Sequence, residues 1–145
     1  MQGKGNLRMT ISLSTFIENV ALDGVVKTVR HRANVDVVER YFEDPEGFGG
    51  YHSVQRSDVY KGADFLAEFG AMPGTRAMFL GIWRVVETRS GAEVPRDHLT
   101  KLCSLEDRFL LRIPRISPDK RIPSWVYTLE PTDVLDEYSG RLVID

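Results

Sequence analysis

A long apolar segment in the middle of the chain, RAMFLGIWRVVETRSG at residues 76–91, leaves few architectures open. Its side chains are mostly apolar at both even and odd positions: Ala77, Phe79, Gly81, Trp83 and Val85 alternate with Met78, Leu80, Ile82 and Arg84. A strand that is apolar on both faces is typical of a central position in a sheet covered on both sides. The glycine at position 81 indicates a bulge or a close backbone approach.

Shorter segments on either side show strand and helix patterns without the βαβ order of a doubly wound sheet. Segment 94–107 is ambiguous, because Leu99, Leu102 and Leu105 could form a short helical face. Strands are predicted at VVKTVRHR, DFLAEFG, RFLLRIPRI, SWVYTLEP and RLVID, and helices at 12–24, 36–42 and 133–138. We therefore expect an α+β fold: a curved, mostly antiparallel sheet or small β-barrel with peripheral short helices.

The length of 145 residues suits one domain, which we place at residues 11–145 behind a flexible tail at 1–10. The net charge of −2 provides no overall attraction to nucleic acid, so any such role must depend on a local basic patch. The single cysteine, Cys103, excludes a disulfide framework and, without a signal peptide, favours the cytoplasm. No apolar run approaches the ~18 residues of a membrane helix.

Motifs for metal, cofactor and nucleophile chemistry are missing from the sequence. The three histidines, His31, His52 and His98, show no HxxH or HExxH spacing, and we expect them to be polar surface or capping residues without a metal. No GxSxG or phosphate-binding glycine loop occurs. The sequence predicts no cofactor and no catalytic residues, so an enzyme is the weakest of the functional interpretations.

Two basic clusters are candidates for phosphate contacts. The first is KTVRHR, with Arg30, His31 and Arg32; the second includes Arg112 and Arg115, with aromatic and aliphatic side chains between the cations. Interspersed aromatic rings can stack on bases. The alternative is that both clusters are solvated strand edges, where Lys and Arg block aggregation.

The segment GYHSVQ concentrates hydrogen-bonding side chains just before an apolar strand. Tyr51, Ser53 and Gln55 could approach a base edge, as in pockets that receive a flipped base. A hydrophobic wall for that pocket is predicted from four aromatic residues: Phe69, Trp83, Trp125 and Tyr127. Alternatively, Ser53 and Gln55 satisfy backbone groups at a loop-to-strand junction.

Four segments, taken in order, resemble a known module: VVKTVRHR, GYHSVQRSDVYKGADFLAEFG, TRAMFLGIWRV and YSGRLVID. They are similar to the N-terminal module that precedes the nuclease domain in a group of bacterial GIY-YIG family proteins. His52 stands where that module usually has glutamine, and the chain stops at Asp145, where the module would continue with tryptophan and glycine. The resemblance covers about residues 25–145 and implies a domain truncated from a longer protein.

The strand pattern also resembles the PUA superfamily, which includes EVE, YTH, ASCH and SRA-type domains. This resemblance implies a non-catalytic DNA-binding module, in particular one that reads a modified base, with a restriction-type nuclease domain in cis. The alternative is a protein-interaction or regulatory domain that does not bind nucleic acid.

Overall fold

The computed structural model describes residues 9–112 and 122–145. Within these residues the chain forms four α-helices and seven strands. The strands are β1 (Met9–Ile11), β2 (Val26–His31), β3 (Val54–Gln55), β4 (Phe65–Ala71), β5 (Ala77–Ser90), β6 (Trp125–Pro131) and β7 (Leu142–Ile144). The helices are α1 (Leu13–Asn19), α2 (Val37–Glu43), α3 (Pro45–Ser53) and α4 (Arg96–Phe109), with 3₁₀ turns at Gly91–Glu93 and Asp136–Tyr138.

The strands form one mixed sheet in the order β1-β7-β5-β4-β2. The β1–β7 and β2–β4 pairs are parallel, whereas β5 is antiparallel to β4, β6 and β7, and β3 is antiparallel to β6. The expected α+β class with a mostly antiparallel sheet is therefore confirmed. In the part of the chain that the structure describes, the sheet is not closed into a barrel: β2 and β3 lie at the two ends of the run β2-β4-β5-β6-β3 and do not pair with each other.

The long strand β5 is central, as its two apolar faces predict, and it is buried from Ala77 to Trp83. It carries two bulges. Glu68 of β4 pairs with Gly81 of β5, and the next residue of β4, Phe69, pairs with Phe79. Leu80 therefore has no partner in β4 and is the extra residue of the first bulge. The second bulge, at Val86, lies in the pairing with β6. Bulges add twist and bend to the strand that carries them.

The first bulge changes which face each β5 side chain occupies. Before it, Phe79 packs with Phe16 and Phe69 on the side of the sheet covered by α1. After it, Trp83 packs with Phe48 and Phe109 on the side covered by α2, α3 and α4. The uninterrupted alternation assumed from the sequence, with Phe79 and Trp83 on one face, is therefore wrong.

Local sequence signals explain where the helices begin. Ser12, Asp36 and Asp44 are N-caps whose side chains accept hydrogen bonds from the first-turn amides of α1, α2 and α3. Pro45 follows at the first position of α3, where its missing N–H is harmless. The ambiguous segment 94–107 belongs to a four-turn helix whose Leu99 and Cys103 pack on Val54 and Val126.

Several sequence-based boundaries differ from the structure; for example, the helix predicted at 12–24 ends at Asn19. RFLLRIPRI was predicted to be a strand, but Arg108 and Phe109 end α4, so the prediction is wrong there; residues 113–116 lie outside the described residues. The predicted tail at 1–10 overlaps the sheet at Met9 and Thr10, which pair with Leu142 and Val143.

Candidate functional site

An open groove lies between the two unpaired ends of the sheet. The groove has a volume of about 420 Å³. It is bordered by residues 27–31 of β2 and by Arg32, which follows the strand. The other bordering residues are Tyr51 of α3, Gln55 of β3, and Val59 and Tyr60 of the following loop. This volume is within the ~300–1,000 Å³ typical of small-ligand pockets. The groove exists because β2 and β3 approach each other without forming a ladder.

Three cations border the groove: Lys27, Arg30 and Arg32. Lys27 donates to the carbonyl of Lys61 at 2.8 Å, and Arg30 donates to the carbonyl of Thr75 at 2.9 Å. None of the three forms an ion pair with a carboxylate of the described residues. Lys27 and Arg30 are therefore held in place by neutral backbone acceptors and not by carboxylates.

Tyr51 and Gln55 contribute the uncharged polar groups of the groove. The Tyr51 ring stacks on Phe109 with centroids 4.8 Å apart. Burial, together with the nearby carboxylates of Glu106 and Glu68, raises the pKa of Tyr51 to about 12, so its hydroxyl stays a donor at neutral pH. Gln55 donates its Nε2 to the carbonyl of His52 at 3.0 Å, which leaves Oε1 without a partner among the described residues.

A buried His–Glu–His cluster adjoins the groove. The Glu68 carboxylate is fully buried, with Oε1 2.5 Å from Nε2 of His31 and Oε2 2.7 Å from Nδ1 of His52. The three side chains come from the end of β2, the last turn of α3 and the bulged pairing of β4. His31 also borders the groove, so the cluster connects the interior with the open site.

Glu68 is charged despite its burial. Burial by itself would raise the pKa of this carboxyl, but the electrostatic and hydrogen-bond interactions with His52 and His31 outweigh it and lower the pKa to about 2. A buried carboxylate is tolerated only where partners replace its lost hydration. The two imidazoles are those partners.

The sequence predicts surface or capping positions for the histidines and gives no role to Glu68. His98 is exposed on α4 as expected, but His31 and His52 are only 5% and 2% exposed, so the prediction is wrong for these two. The signal was present: the apolar segment FLAEFG contains one charged residue, Glu68, and such a residue is almost never buried unless paired. It did not reveal the partners, because they come from distant positions.

The predicted hydrophobic wall does not form at the groove. Phe69 is 1% exposed and packs against Phe16 on the opposite side of the sheet. Trp83 lies in the core beside Phe48, and Tyr127 is buried against Tyr60. Trp125 is half-buried, with the ammonium of Lys61 5.5 Å from its ring centroid. Tyr51 and Tyr60 are the rings that border the groove, and Tyr60 was not anticipated.

Two other predicted contacts, those of Ser53 and Arg112, also lie elsewhere. The Ser53 hydroxyl donates to the Gly49 carbonyl at 2.7 Å within α3, as its alternative interpretation expected. Arg112 pairs with Asp107 at 3.1 Å, and it does not line the groove. Arg115 lies outside the described residues. Of the predicted site residues, the structure brings together Arg30, His31, Arg32, Tyr51 and Gln55.

His31 borders the groove but is not a free cation, because it is buried and its Nε2 is engaged by Glu68. Its expected role as a direct phosphate contact stays a prediction. Lys27, the first cation of KTVRHR, also borders the groove.

Comparisons of the chain with protein-family models, with curated proteins and with solved structures found no match. No helix in the described part of the chain has both the length and the apolar character needed to span a bilayer.

Proposed function

We propose that the chain is a non-catalytic DNA-binding module that holds its nucleic acid in the groove between β2 and β3. The observation that carries the proposal is the meeting of three cations without acidic partners, two tyrosines and an amide at one open recess. Binding of nucleic-acid phosphates needs cations, and recognition of a base needs an aromatic ring for stacking and a directional hydrogen-bonding group.

The cations would supply affinity. Lys27 and Arg30 belong to the edge strand β2 and project to opposite faces of it, and Arg32 follows the strand directly. A sugar-phosphate backbone that follows this edge would meet positive charges from both faces. The overall charge of −2 makes this local group of cations decisive for binding.

The pocket side chains would supply specificity. The Tyr51 hydroxyl can donate to a base, and Oε1 of Gln55 can accept from an exocyclic amino group. The resemblance described above extends the proposal to a modified base, a PUA-like fold and a nuclease domain in cis, acting in the cytoplasm.

Fluorescence anisotropy with unmodified and base-modified duplexes between 50 and 200 mM salt tests the proposal. Each phosphate contact contributes about −0.9 to the slope of log K against log salt for B-DNA. We expect a slope of about −2 to −3 for wild type if the three cations contact phosphates. Arg32→Gln should bring the slope closer to zero by about one unit, whereas Lys101→Gln on exposed α4 should leave it unchanged.

The same panel tests base recognition. Gln55→Ala should reduce discrimination between duplexes more than it reduces overall affinity, because the phosphate contacts remain. Ser53→Ala is the matched control, since that hydroxyl already donates to a backbone carbonyl within α3. Equal loss of affinity on all duplexes would assign Gln55 to the fold only. No binding to any duplex at low salt would overturn the proposal and favour the protein-interaction domain.

A further inference from the structure

We propose that His31, His52 and Glu68 form a binding site for one divalent transition-metal ion, with Zn²⁺ as the probe. The inference does not depend on DNA binding, because it rests on the buried cluster alone.

The ligand set suits such an ion. Each of the three residues offers one ligand atom, and these atoms all lie within 4.8 Å of one another. Two imidazole nitrogens and a carboxylate are the protein ligands of several catalytic zinc sites and of the 2-His-1-carboxylate iron sites. Three protein ligands leave a coordination position for water or a bound group.

The cluster is already assembled, and aromatic side chains pack against both imidazole rings. The His52 ring packs against Phe48 at 4.5 Å and Trp83 at 5.2 Å between ring centroids. The His31 ring packs against Phe48 at 5.2 Å and Tyr51 at 5.4 Å. Little side-chain entropy is left to lose when an ion binds, which favours a preorganised site.

The movement that an ion requires is small. The nitrogens lie 2.5 and 2.7 Å from the Glu68 oxygens, as hydrogen bonds require. Ligand atoms that surround tetrahedral zinc at about 2.0–2.1 Å are about 3.3 Å apart. Each of the two nitrogen–oxygen distances would therefore have to lengthen by less than about 1 Å. The hydrogen between each nitrogen and oxygen then moves to the other ring nitrogen or leaves as a proton.

His31 gives the site an access path. It is the member of the cluster that borders the groove, and the groove is open to solvent. An ion could therefore reach the site without unfolding of the core, and its remaining coordination position would lie next to whatever the groove holds.

Isothermal titration of ZnCl₂ into chelator-stripped, dialysed protein tests the proposal. We expect one equivalent per chain and a higher melting temperature in its presence. His52→Gln should weaken binding by more than about 100-fold, since even outer-shell changes cost 10- to 100-fold. His98→Gln, the matched control at the exposed histidine of α4, should bind as wild type does.

A measurement on the wild type covers the possibility that His52→Gln does not fold. Zinc should shift the ¹⁵N resonances of His31 Nε2 and His52 Nδ1 and leave those of His98 unchanged. Absence of stoichiometric binding, or shifts confined to His98, would overturn the proposal and assign the cluster to a metal-free buried ion network.

Discussion

At the scale of single residues, Glu68 is the most consequential side chain of the interior, because it is a charged group with no exposure to water. Removing it by Glu68→Ala leaves two buried imidazoles without their acceptor. Breaking a buried pair from one side typically costs about 3–5 kcal/mol. Urea unfolding in the presence of a chelator should show a loss of that order relative to wild type.

The dependence of the unfolding free energy on pH in the acidic range tests whether Glu68 is ionised in the folded protein. The folded-state pKa of about 2 lies below the ordinary value of 4.5, so its contribution is complete above about pH 4.5 and is lost as the pH falls toward 2. We expect Glu68→Gln to flatten the dependence of the unfolding free energy on pH in this window. An unchanged acid limb in Glu68→Gln would contradict the assignment of a charged carboxylate.

At the scale of elements, the contact between α3 and α4 sets the position of the groove wall, because Tyr51 on α3 stacks on Phe109 of α4. Gly50 allows this contact: a Cβ there would lie 2.3 Å from Cβ of Leu105 and 2.9 Å from the carbonyl oxygen of Leu102. Gly50→Ala should therefore force the helices apart and destabilise the protein by about 1–3 kcal/mol. Thermal or urea unfolding measures this loss.

The preceding glycine is the matched control for that prediction. A Cβ at Gly49 would meet nothing within 4 Å, and the position is in the same helix. Gly49→Ala should leave stability unchanged or raise it by up to about 1 kcal/mol through helix propensity. Equal effects of the two substitutions would show that helix propensity, and not the α3–α4 approach, governs this region.

At the scale of the whole molecule, the unclosed sheet should give an uneven distribution of local stability. β5 has hydrogen-bonded partners on both sides, whereas β2 pairs with β4 alone among the described strands and borders the groove. Amide hydrogen exchange should be slowest in β5 and much faster for the β2 amides that face away from β4.

Addition of DNA should slow amide hydrogen exchange in β2 and around Gln55 while leaving β1 and β7 unchanged. Uniform slowing over the whole chain would contradict a binding site at the groove.

The sequence by itself determined the elements whose patterns are local. The strand at Ala77–Ser90 was evident from its two apolar faces, its bulge from Gly81, and the α+β class from the order of the segments. The structure also brings together five of the residues that the sequence assigned to one site: Arg30, His31, Arg32, Tyr51 and Gln55. These features depend on residues that are close in sequence or on simple periodicity.

Only the tertiary structure decided which side chains face the groove. The bulge at Leu80 reversed the alternation of β5, so Trp83 and Phe79 lie on opposite sides of the sheet. The His31–Glu68–His52 cluster joins positions up to 37 residues apart, and no spacing rule connects them. A one-residue shift in a strand moves every later side chain to the other face, and a buried charge takes its partners from whichever elements pack over it. Both outcomes depend on how the layers meet in space, which is why the local pattern did not reveal them.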